Sequence, residues 1–271
     1  MTIFLLIPIF LPILLAILWR LMKLEGKKLY WASVATMTVT SLCAAAAEAG
    51  ARVHVDVVQA AGKVPVQLHE YAIDYASASA HKIHGPKGVG CLYVRRGVEY
   101  KPYLTGGTQE DYRRAGTENV PGIIGFGKAA ELALAAAEQY AALSTLRERF
   151  TAHLSAAGIE YEVNGASARR LPHVLNMRVP GISAQSLSLL LEPAGLLCST
   201  GSACTSAEPE PSHVLRAMGL PDKAVRESLR FSLSRYTTEQ EVDEAARLFI
   251  AAVQKVRSVQ SSVTGPVMVY R

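Results

Sequence analysis

Residues 52–56 read RVHVD, and residues 73–82 read IDYASASAHK. Both stretches carry small or branched residues and end on polar side chains, which is typical of a buried strand that opens into a loop. Sheets of α/β proteins bind their ligands beyond the carboxyl ends of the strands. The sequence therefore predicts an α/β fold with a candidate site at Asp56 and at residues 79–82.

Lys82 follows the second strand in the sequence Ser79-Ala80-His81-Lys82. A lysine that is partly removed from water has a lowered pKa and attacks carbonyl groups more readily, which suits the formation of a Schiff base. On residue type alone, a surface lysine just past the strand end is the commoner case. Both interpretations stay open at this point.

Asp56 ends the first strand, and Gln59 follows three residues later. A carboxylate in this place can hold a pyridinium nitrogen protonated. It can equally cap a helix that begins at Val57, which is the more frequent role of an aspartate before a helix.

Cys204 lies in the segment STGSACTSAEPEPS, residues 199–212. Its small and polar neighbours predict an exposed loop, and an accessible thiolate is the reactive form of cysteine. Cys198 ends an apolar run and is predicted to behave as a buried small hydrophobe. An incidental free cysteine at 204 and a Cys198–Cys204 redox pair both remain as alternatives.

The overall composition argues against several classes of protein. The chain has 28 basic and 23 acidic residues, and they are scattered, whereas a nucleic-acid-binding protein concentrates its basic residues on one surface. Four cysteines without a CxxC pair favour neither a disulfide framework nor structural zinc, and they fit a reducing compartment. His81 and His84 have no evident third partner, so we predict no metal site.

Residues 3–19 read IFLLIPIFLPILLAILW and carry no charge. The run is slightly short for a membrane span and holds two prolines, so it is compatible with membrane anchoring without requiring it. A weaker apolar stretch follows at 29–47. The sequence is compatible with a second membrane span there and with an ordinary buried helix.

Five motifs occur in a fixed order along the rest of the chain. They are HVDVVQAAGKVPV at 54–66, SASAHKIHGPKGVGCLYVRRG at 77–97, RRAGTENVPGIIGFGKAAELA at 113–133, STGSACTSAEPEPSHVLRAMGL at 199–220 and LRFSLSRYTTEQEVD at 229–243. From about residue 47 onward the chain resembles the cysteine desulfurases of the iron–sulfur-cluster and nitrogen-fixation type. These are class V aminotransferase-like proteins of the fold-type I pyridoxal-phosphate group.

The resemblance implies a partial fold-type I transferase. We expect an incomplete large-domain sheet over residues 47–128 and a small α+β C-terminal domain over 129–271. Residues 1–46 lie outside the resemblance and are expected to form an apolar, helical segment.

The resemblance also implies roles for the residues after the two strands. Lys82 binds pyridoxal 5'-phosphate covalently, and Asp56 pairs with the pyridinium nitrogen, which keeps the ring an electron sink. Gln59 lies near the phenolic oxygen of the ring. Ser79 and His81 hold the phosphate.

Three further residues carry implied roles in binding and sulfur transfer. Thr117 matches a residue that reaches the phosphate of a partner subunit, which implies a homodimer. Arg230 binds the carboxylate of the substrate L-cysteine, which a bidentate guanidinium suits. Cys204 takes up the sulfur of the substrate as a persulfide, and L-alanine is the second product. The persulfide sulfur then passes to an acceptor such as an iron–sulfur scaffold protein. That Cys204 is shared with an iron–sulfur cluster remains an alternative. The expected location of the protein is cytoplasmic, or membrane-anchored through residues 3–19.

The chain also departs from the family pattern. The long N-terminal portion of the family, with a Gly-Thr-rich phosphate loop, a histidine that stacks on the ring and an asparagine, has no counterpart here. Asp111-Tyr112 stands where Arg-Gly is frequent, and Glu208-Pro209 lies in the cysteine loop where Ser-Leu is usual. Two alternatives therefore accompany the desulfurase prediction: an inactive truncated or membrane-anchored fragment, and a selenocysteine lyase or other class V enzyme.

Overall fold

The computed structural model describes residues 29–33, 43–66, 68–168, 170–201 and 211–263. The chain divides near residue 141 into two compact units, here called the N-terminal unit (described residues from 29 to 141) and the C-terminal unit (described residues from 142 to 263). The apolar run at 3–19 and Cys204 lie outside the described residues.

The N-terminal unit contains a four-stranded sheet in the order β1-β2-β3-β4. The strands are β1 (Leu29–Ser33), β2 (Arg52–Asp56), β3 (Tyr75–Ser79) and β4 (Gly90–Val94). β1, β2 and β3 run parallel, and β4 is antiparallel to β3. The predicted strands at 52–56 and 73–79 are confirmed, and the second begins two residues later than predicted. The sequence also predicts a strand at 89–94, interrupted by Gly90, and the structure forms it from residue 90 onward.

Residues 29–33 fall in the segment for which the sequence favours a helix, yet they form the strand β1. Five consecutive pairs, from Leu29 with Arg52 to Ser33 with Asp56, join β1 to β2. This pairing places β2 inside the sheet, where both of its neighbours are parallel strands. Such a strand is buried on both faces, which explains why Val53, His54 and Val55 are all buried.

Asp74 is a buried carboxylate that ties three parts of this sheet together. Its side chain is 3% exposed and accepts hydrogen bonds from Arg52 at 3.2 Å and Arg95 at 2.6 Å. The amide of Val53 donates to its second oxygen at 2.8 Å. A buried carboxylate is tolerated when it is paired in this way. Burial alone raises the pKa of Asp74, but the Val53 amide and the two guanidiniums outweigh it and hold the pKa below its ordinary value.

The N-terminal unit also contains several helices. They are α1 (43–48), a 3₁₀ helix (Ala80–Ile83), the short α2 (Gln109–Tyr112) and α3 (Val120–Ala135); α4 (Ala137–Ala156) runs on into the C-terminal unit. α3 begins at an Asn119 cap, whose side chain accepts from the amide of Gly122 at 3.1 Å.

The sequence predicts one long helical stretch from about Ile123 to Gly158, with apolar residues at helical spacing in its later part, but the structure forms two helices there. The amide of Ala136 bonds to the carbonyl of Ala133, three residues back, and this tight last turn ends α3 before α4 begins. Among the described residues, no single helix has the length and apolar composition of a membrane span. Two consecutive helical segments reach the length and apolar composition of a span only when they are counted together. They are Val120–Leu134 and Gln139–Ala156, and the angle between them is 70°.

The C-terminal unit contains a three-stranded antiparallel sheet in the order β5-β6-β7. Its strands are β5 (Glu162–Val163), β6 (Val174–Arg178) and β7 (Ser228–Ser232), and its helices are α5 (Ala184–Leu191), α6 (His213–Ala217), α7 (Asp222–Arg226) and α8 (Glu239–Val263). In the sequence, Thr238 and Glu241 have the spacing of a capping box, which predicts the start of a closing helix near Thr238, and the structure confirms it. Glu241 accepts from the amide of Thr238 at 2.8 Å, and Thr238 accepts from the amide of Glu241 at 3.2 Å.

The two faces of the β5–β7 sheet differ in polarity. Alternate residues of β6 and β7 are buried in the core, where Leu175, Met177, Leu229 and Phe231 pack with residues of α4, α5 and α8. Phe150, Phe231 and Phe249 meet there, with ring centroids 5.1–5.8 Å apart. The opposite face carries Asn176 and Arg230, which are cross-strand partners.

Candidate active site

The carboxyl ends of β2 and β3 lie side by side, as the sequence predicts. Asp56, the last residue of β2, is paired in parallel register with Ser77 of β3. Ser79 ends β3 two residues further on, and the 3₁₀ helix with Lys82 follows at once. The structure therefore brings the Asp56 region and residues 79–82 to one edge of the sheet, where α/β proteins bind ligands.

Lys82 is half-buried and is carried by a short rigid element. Ala80 and Ile83 of the 3₁₀ helix are buried, and Ile83 packs on Ala129 and Ala133 of α3. The helix ends where His84 adopts a left-handed conformation with φ 67° and the amide of Gly85 bonds to the carbonyl of Ala80 at 2.8 Å. Lys82 thus starts from a fixed backbone rather than from a flexible surface loop.

Ser79 and His81 form a contact at the start of this helix. The hydroxyl of Ser79 lies 2.7 Å from Nδ1 of His81. Ser79 is half-buried and His81 is exposed. A hydroxyl and an imidazole held together in this way are both groups that can donate to an anionic oxygen.

His84 contacts the hydroxyl of Tyr140 at 3.3 Å, so the two histidines of this segment have separate protein partners. Within the part of the chain that the structure describes, no cluster of three or more His, Cys, Asp or Glu side chains could hold a metal ion.

Asp56 is exposed and caps the turn that follows β2. Its Oδ1 accepts a hydrogen bond from the amide of Val58 at 2.8 Å. Residues 58–64 are a series of turns and a bend rather than a helix, so the cap is that of an aspartate turn. This bond uses one carboxylate oxygen. The capping role and a role in ligand binding are therefore compatible.

Gln59 and Lys63 lie on the same series of turns. Nζ of Lys63 donates to Oε1 of Gln59 at 3.0 Å. Gln59 is exposed, whereas Lys63 is only 7% exposed. Burial, and next the positive charge of Lys82, lower the pKa of Lys63 to about 8.

Gly62 brings this turn into close contact with the lysine helix. Its φ is +69°, and a Cβ built on it would lie 2.7 Å from Cβ of Ala133 and 2.9 Å from Cγ2 of Ile83. Glycine is required for both reasons, since it alone adopts this conformation readily and leaves the space empty. The backbone between Gln59 and Lys63 is therefore held against the residue that follows Lys82.

Thr117 is exposed and lies in the loop between α2 and α3. Nη1 of Arg114 donates to the carbonyls of Gly116 and Thr117, at 3.2 and 3.3 Å, which holds the backbone of this loop. Just before it, Asp111 and Tyr112 have φ of 54° and 62°. Tyr112 occupies the position where the resemblance has glycine, and the positive φ explains why glycine suits it.

Arg230 belongs to the C-terminal unit, on β7, and is half-buried. Its amide donates to the carbonyl of Ser199 at 2.7 Å, and the amide of Ser199 donates back at 3.0 Å. The segment that leads to Cys204 therefore starts in direct backbone contact with Arg230. Nearby on the sheet, Nδ2 of Asn164 donates to Oδ1 of Asn176 at 2.6 Å and to Oγ of Ser228 at 2.9 Å.

Cys198 is half-buried, and burial raises the pKa of its thiol. A raised pKa disfavours the thiolate, which agrees with the interpretation of Cys198 as a small hydrophobe rather than a reactive group.

The sequence and the fold were compared with known proteins. The family model "Aminotransferase class-V" matches residues 35–245. A cysteine desulfurase of Nostoc sp. is 50% identical over 213 residues, which are 78% of this chain and 53% of that protein. A cysteine desulfurase of Sinorhizobium fredii is 44% identical over 239 residues, which are 87% of this chain and 62% of that protein. The chain belongs to the class V aminotransferase family.

Solved structures agree with this assignment. The structure titled "NIFS-LIKE PROTEIN" superposes with a TM-score of 0.73 at 33% identity, and the match covers 88% of this chain and 65% of the other. The NifS-like protein of Rickettsia africae gives a TM-score of 0.75 at 26% identity, and the match covers 90% of this chain and 66% of the other. The chain spans about half the length of the first curated relatives that it matches.

Class V aminotransferases depend on pyridoxal phosphate, and the groups at the sheet edge fit this cofactor in kind. Lys82 supplies a half-buried amine, and Ser79 and His81 supply donors for a phosphate. Asp56 supplies an exposed carboxylate for a ring nitrogen. The N-terminal unit thus presents three of the chemical functions that the cofactor requires.

Sequence reasoning missed Lys63. Its position in the run AAGKV, residues 60–64, was a usable signal, because a lysine flanked by small and apolar residues on a turn next to a predicted site is often partly buried. It also missed Asp74, a lone carboxylate between Ile73 and Tyr75 at the start of a predicted strand.

Proposed function

We propose that this chain carries the lysine and the sulfur-accepting cysteine of a pyridoxal-phosphate-dependent cysteine desulfurase. The observation that carries the proposal is the position of half-buried Lys82 directly after the Ser79–His81 pair, at the sheet edge that also bears Asp56. The identity of 44–50% to several cysteine desulfurases supports the same substrate and reaction.

Each residue has a defined task in this proposal. The amine of Lys82 binds the cofactor covalently, and Ser79 and His81 donate to its phosphate. Asp56 stabilises the proton on the ring nitrogen, and Gln59 donates to an oxygen on the ring. When bound, pyridoxal phosphate supplies the electron sink that the reaction requires.

The C-terminal unit supplies the substrate and sulfur side of the reaction. The guanidinium of Arg230 binds the carboxylate of L-cysteine. The sulfur of the substrate passes to the thiol of Cys204, so that L-cysteine and a thiol give L-alanine and a persulfide. The persulfide sulfur is then available to an acceptor protein, for which an iron–sulfur scaffold is the proposed class.

We also propose that the chain forms a homodimer through α3 and the loop before it. Val120, Ile123 and Ile124 on α3 are 54%, 48% and 68% exposed, and Tyr103 in the loop is 95% exposed. An apolar surface of this kind is typical of a protein interface. A second copy would also bring its own Thr117 loop to this region. Sedimentation of Ile124→Asp should show a monomer, and Leu189→Asp, which changes an exposed residue of the C-terminal unit, should sediment as the unchanged chain does.

The decisive experiment is a visible absorption spectrum of the purified chain with pyridoxal phosphate. We expect a bound-cofactor band that is lost in Lys82→Ala and retained in Lys87→Ala, since Lys87 is an exposed lysine five residues away. The band should change on addition of L-cysteine, and a persulfide should form that Cys204→Ser abolishes. A chain without a Lys82-dependent band would overturn the proposal and favour the alternative of an inactive family member.

A further inference from the structure

Lys63 makes the most unusual contact near the proposed site. It is a lysine that is 7% exposed, and its ammonium donates to Oε1 of Gln59 at 3.0 Å. An ammonium group has three donors and no acceptor, so it can only face the oxygen of a carboxamide. The contact therefore fixes the orientation of the Gln59 side chain, with the NH₂ group turned away from Lys63.

The opposite orientation of Gln59 would be costly. It would place the NH₂ group against the Lys63 ammonium, and a buried cation would lose the acceptor that this bond provides. Gln59 itself is exposed and follows Asp56 by three residues. Its NH₂ group is then a donor held in one orientation, suited to an anionic oxygen of a bound ligand.

The turn that carries Lys63 is also held close to Lys82. Gly62 leaves no space for a Cβ, which would lie 2.9 Å from Cγ2 of Ile83 and 2.7 Å from Cβ of Ala133. Lys63 follows Gly62 and Lys82 precedes Ile83, so two lysines flank this close contact. Burial, and after it the positive charge of Lys82, lower the pKa of Lys63, as expected for two lysines on either side of this contact.

We propose that Lys63 is a positioning residue of the cofactor site, which orients the Gln59 carboxamide as a donor toward the ligand and adds a second positive charge beside Lys82. This proposal rests on the proposed function for the identity of the ligand, but its contacts belong to the chain alone. The additional charge favours an anionic, phosphate-bearing ligand at this edge of the sheet.

The first test needs no cofactor and uses the whole chain labelled with ¹⁵N-glutamine. In Lys63→Met, the side-chain amide signals of Gln59 should shift, and their exchange with water should become several-fold faster. Lys87→Met is the matched control, since Lys87 is exposed, and it should leave these signals in place. Gln59 signals that are the same in both variants would overturn the proposal.

The second test measures the charge contact. Competitive acetylation of the lysines at a series of alkaline pH values, read by mass spectrometry, gives the titration midpoint of Lys63. The midpoint should move upward in Lys82→Met and stay at its original value in Lys87→Met. An unchanged midpoint in Lys82→Met would contradict the second part of the proposal.

Cofactor binding then separates this inference from the proposed function. Lys63→Met should retain the Lys82-dependent band but bind pyridoxal phosphate about tenfold more weakly, as expected for the loss of one positioned hydrogen bond. A chain with no band in any variant would overturn the proposed function, while the two cofactor-free tests would still decide the role of Lys63. Equal affinity in Lys63→Met and Lys87→Met would contradict the role of Lys63 in positioning.

Discussion

The two units of the chain bury their apolar side chains in different ways. The C-terminal unit has one continuous cluster of buried residues, built on Phe150, Phe231, Phe249 and several leucines. The N-terminal unit has two smaller clusters, made of Val, Ala, Cys and Ile side chains. Since stabilisation grows with the apolar area buried, the C-terminal unit has the larger hydrophobic contribution of its own.

The N-terminal unit instead carries charged side chains in its interior. Asp74 holds its sheet together, and Lys63 is buried beside the proposed site. This unit also exposes an apolar face on α3, including Ile124 at 68% and Leu134 at 81%. The comparison indicates that the N-terminal unit relies more on directional contacts, such as those of Asp74, and leaves an apolar surface uncovered, whereas the C-terminal unit relies on apolar packing.

The largest expected effect tests the C-terminal core. Phe249 is fully buried, with ring centroids 5.8 Å from Phe150 and 5.5 Å from Phe231. Phe249→Ala should lower the free energy of unfolding of this unit by about 3–5 kcal/mol, because it leaves a cavity between the other two rings. Hydrogen exchange of peptides from residues 142–263 in increasing urea measures the loss. Val259→Ala, at an exposed position of α8, is the control and should change stability by about 0.5 kcal/mol or less.

The second prediction tests the polar centre of the N-terminal unit. Asp74→Ala should lower the free energy of unfolding by about 2 kcal/mol, because it removes the hydrogen-bond acceptor of Val53, Arg52 and Arg95. Both arginines are partly exposed, so water can replace part of what they lose, which limits the loss of stability. Exchange of peptides from residues 52–95 should report it. Glu99→Ala, at an exposed residue, should have no such effect.

Asp74 should also make this unit sensitive to acid. Its pKa is lowered in the folded chain, so its contribution is complete above its ordinary pKa of 3.8 and is lost as the pH falls below that value toward the folded pKa. Acid titration of the unfolding free energy should show this loss, and Asp74→Ala should remove it. An identical acid dependence in the variant would mean that other carboxylates dominate.

The third prediction concerns Lys63, whose burial opposes folding while it is charged. Its pKa falls from the ordinary 10.5 to about 8 on folding, so the unfolded chain binds more protons between these values. The N-terminal unit should therefore become more stable as the pH rises from about 8 to 10.5. Lys63→Met should stabilise it by roughly 1–3 kcal/mol at neutral pH and remove this rise. Urea unfolding at a series of pH values measures both, and a destabilised variant would contradict the prediction.

The smallest effect is expected for the exposed ion pairs of the C-terminal unit. Asp243 of α8 accepts from Arg149 at 2.6 and 2.7 Å and from His153 at 2.7 Å. The Arg149 and then the His153 hydrogen bonds hold the pKa of Asp243 well below its usual range. Water and salt screen exposed pairs, so Asp243→Asn should change stability less than Phe249→Ala, Asp74→Ala or Lys63→Met, and high salt should abolish the difference. An effect comparable to that of Phe249→Ala would contradict the contrast between the units.

Local patterns in the sequence predicted much of the fold. The strand over residues 52–56 and the capping box of Thr238 and Glu241 are confirmed, because the strand preference of branched residues and the chemistry of a cap depend on neighbouring residues. The end of α4 near Gly158 is also local, since Gly158 adopts φ of 68° just after the helix. The sequence predicts a long helix from Ile123 but not its break at Ala136, because the residues on both sides of Ala136 are good helix formers.

The sequence by itself determined the motif order and the strand ends at Asp56 and Ser79, which follow from residue types and from spacing along the chain. The cofactor role of Lys82 is a prediction that rests on the resemblance of the motifs to the cysteine desulfurases. Only the tertiary structure decided that Lys63 is buried against Gln59, that Asp74 bonds to β2 and to Arg95 just after β4, and that Ser199 pairs with Arg230. The physical reason is that burial and hydrogen bonding depend on residues far apart in the chain, such as Gly62 with Ala133, which meet only when the sheet and its helices pack.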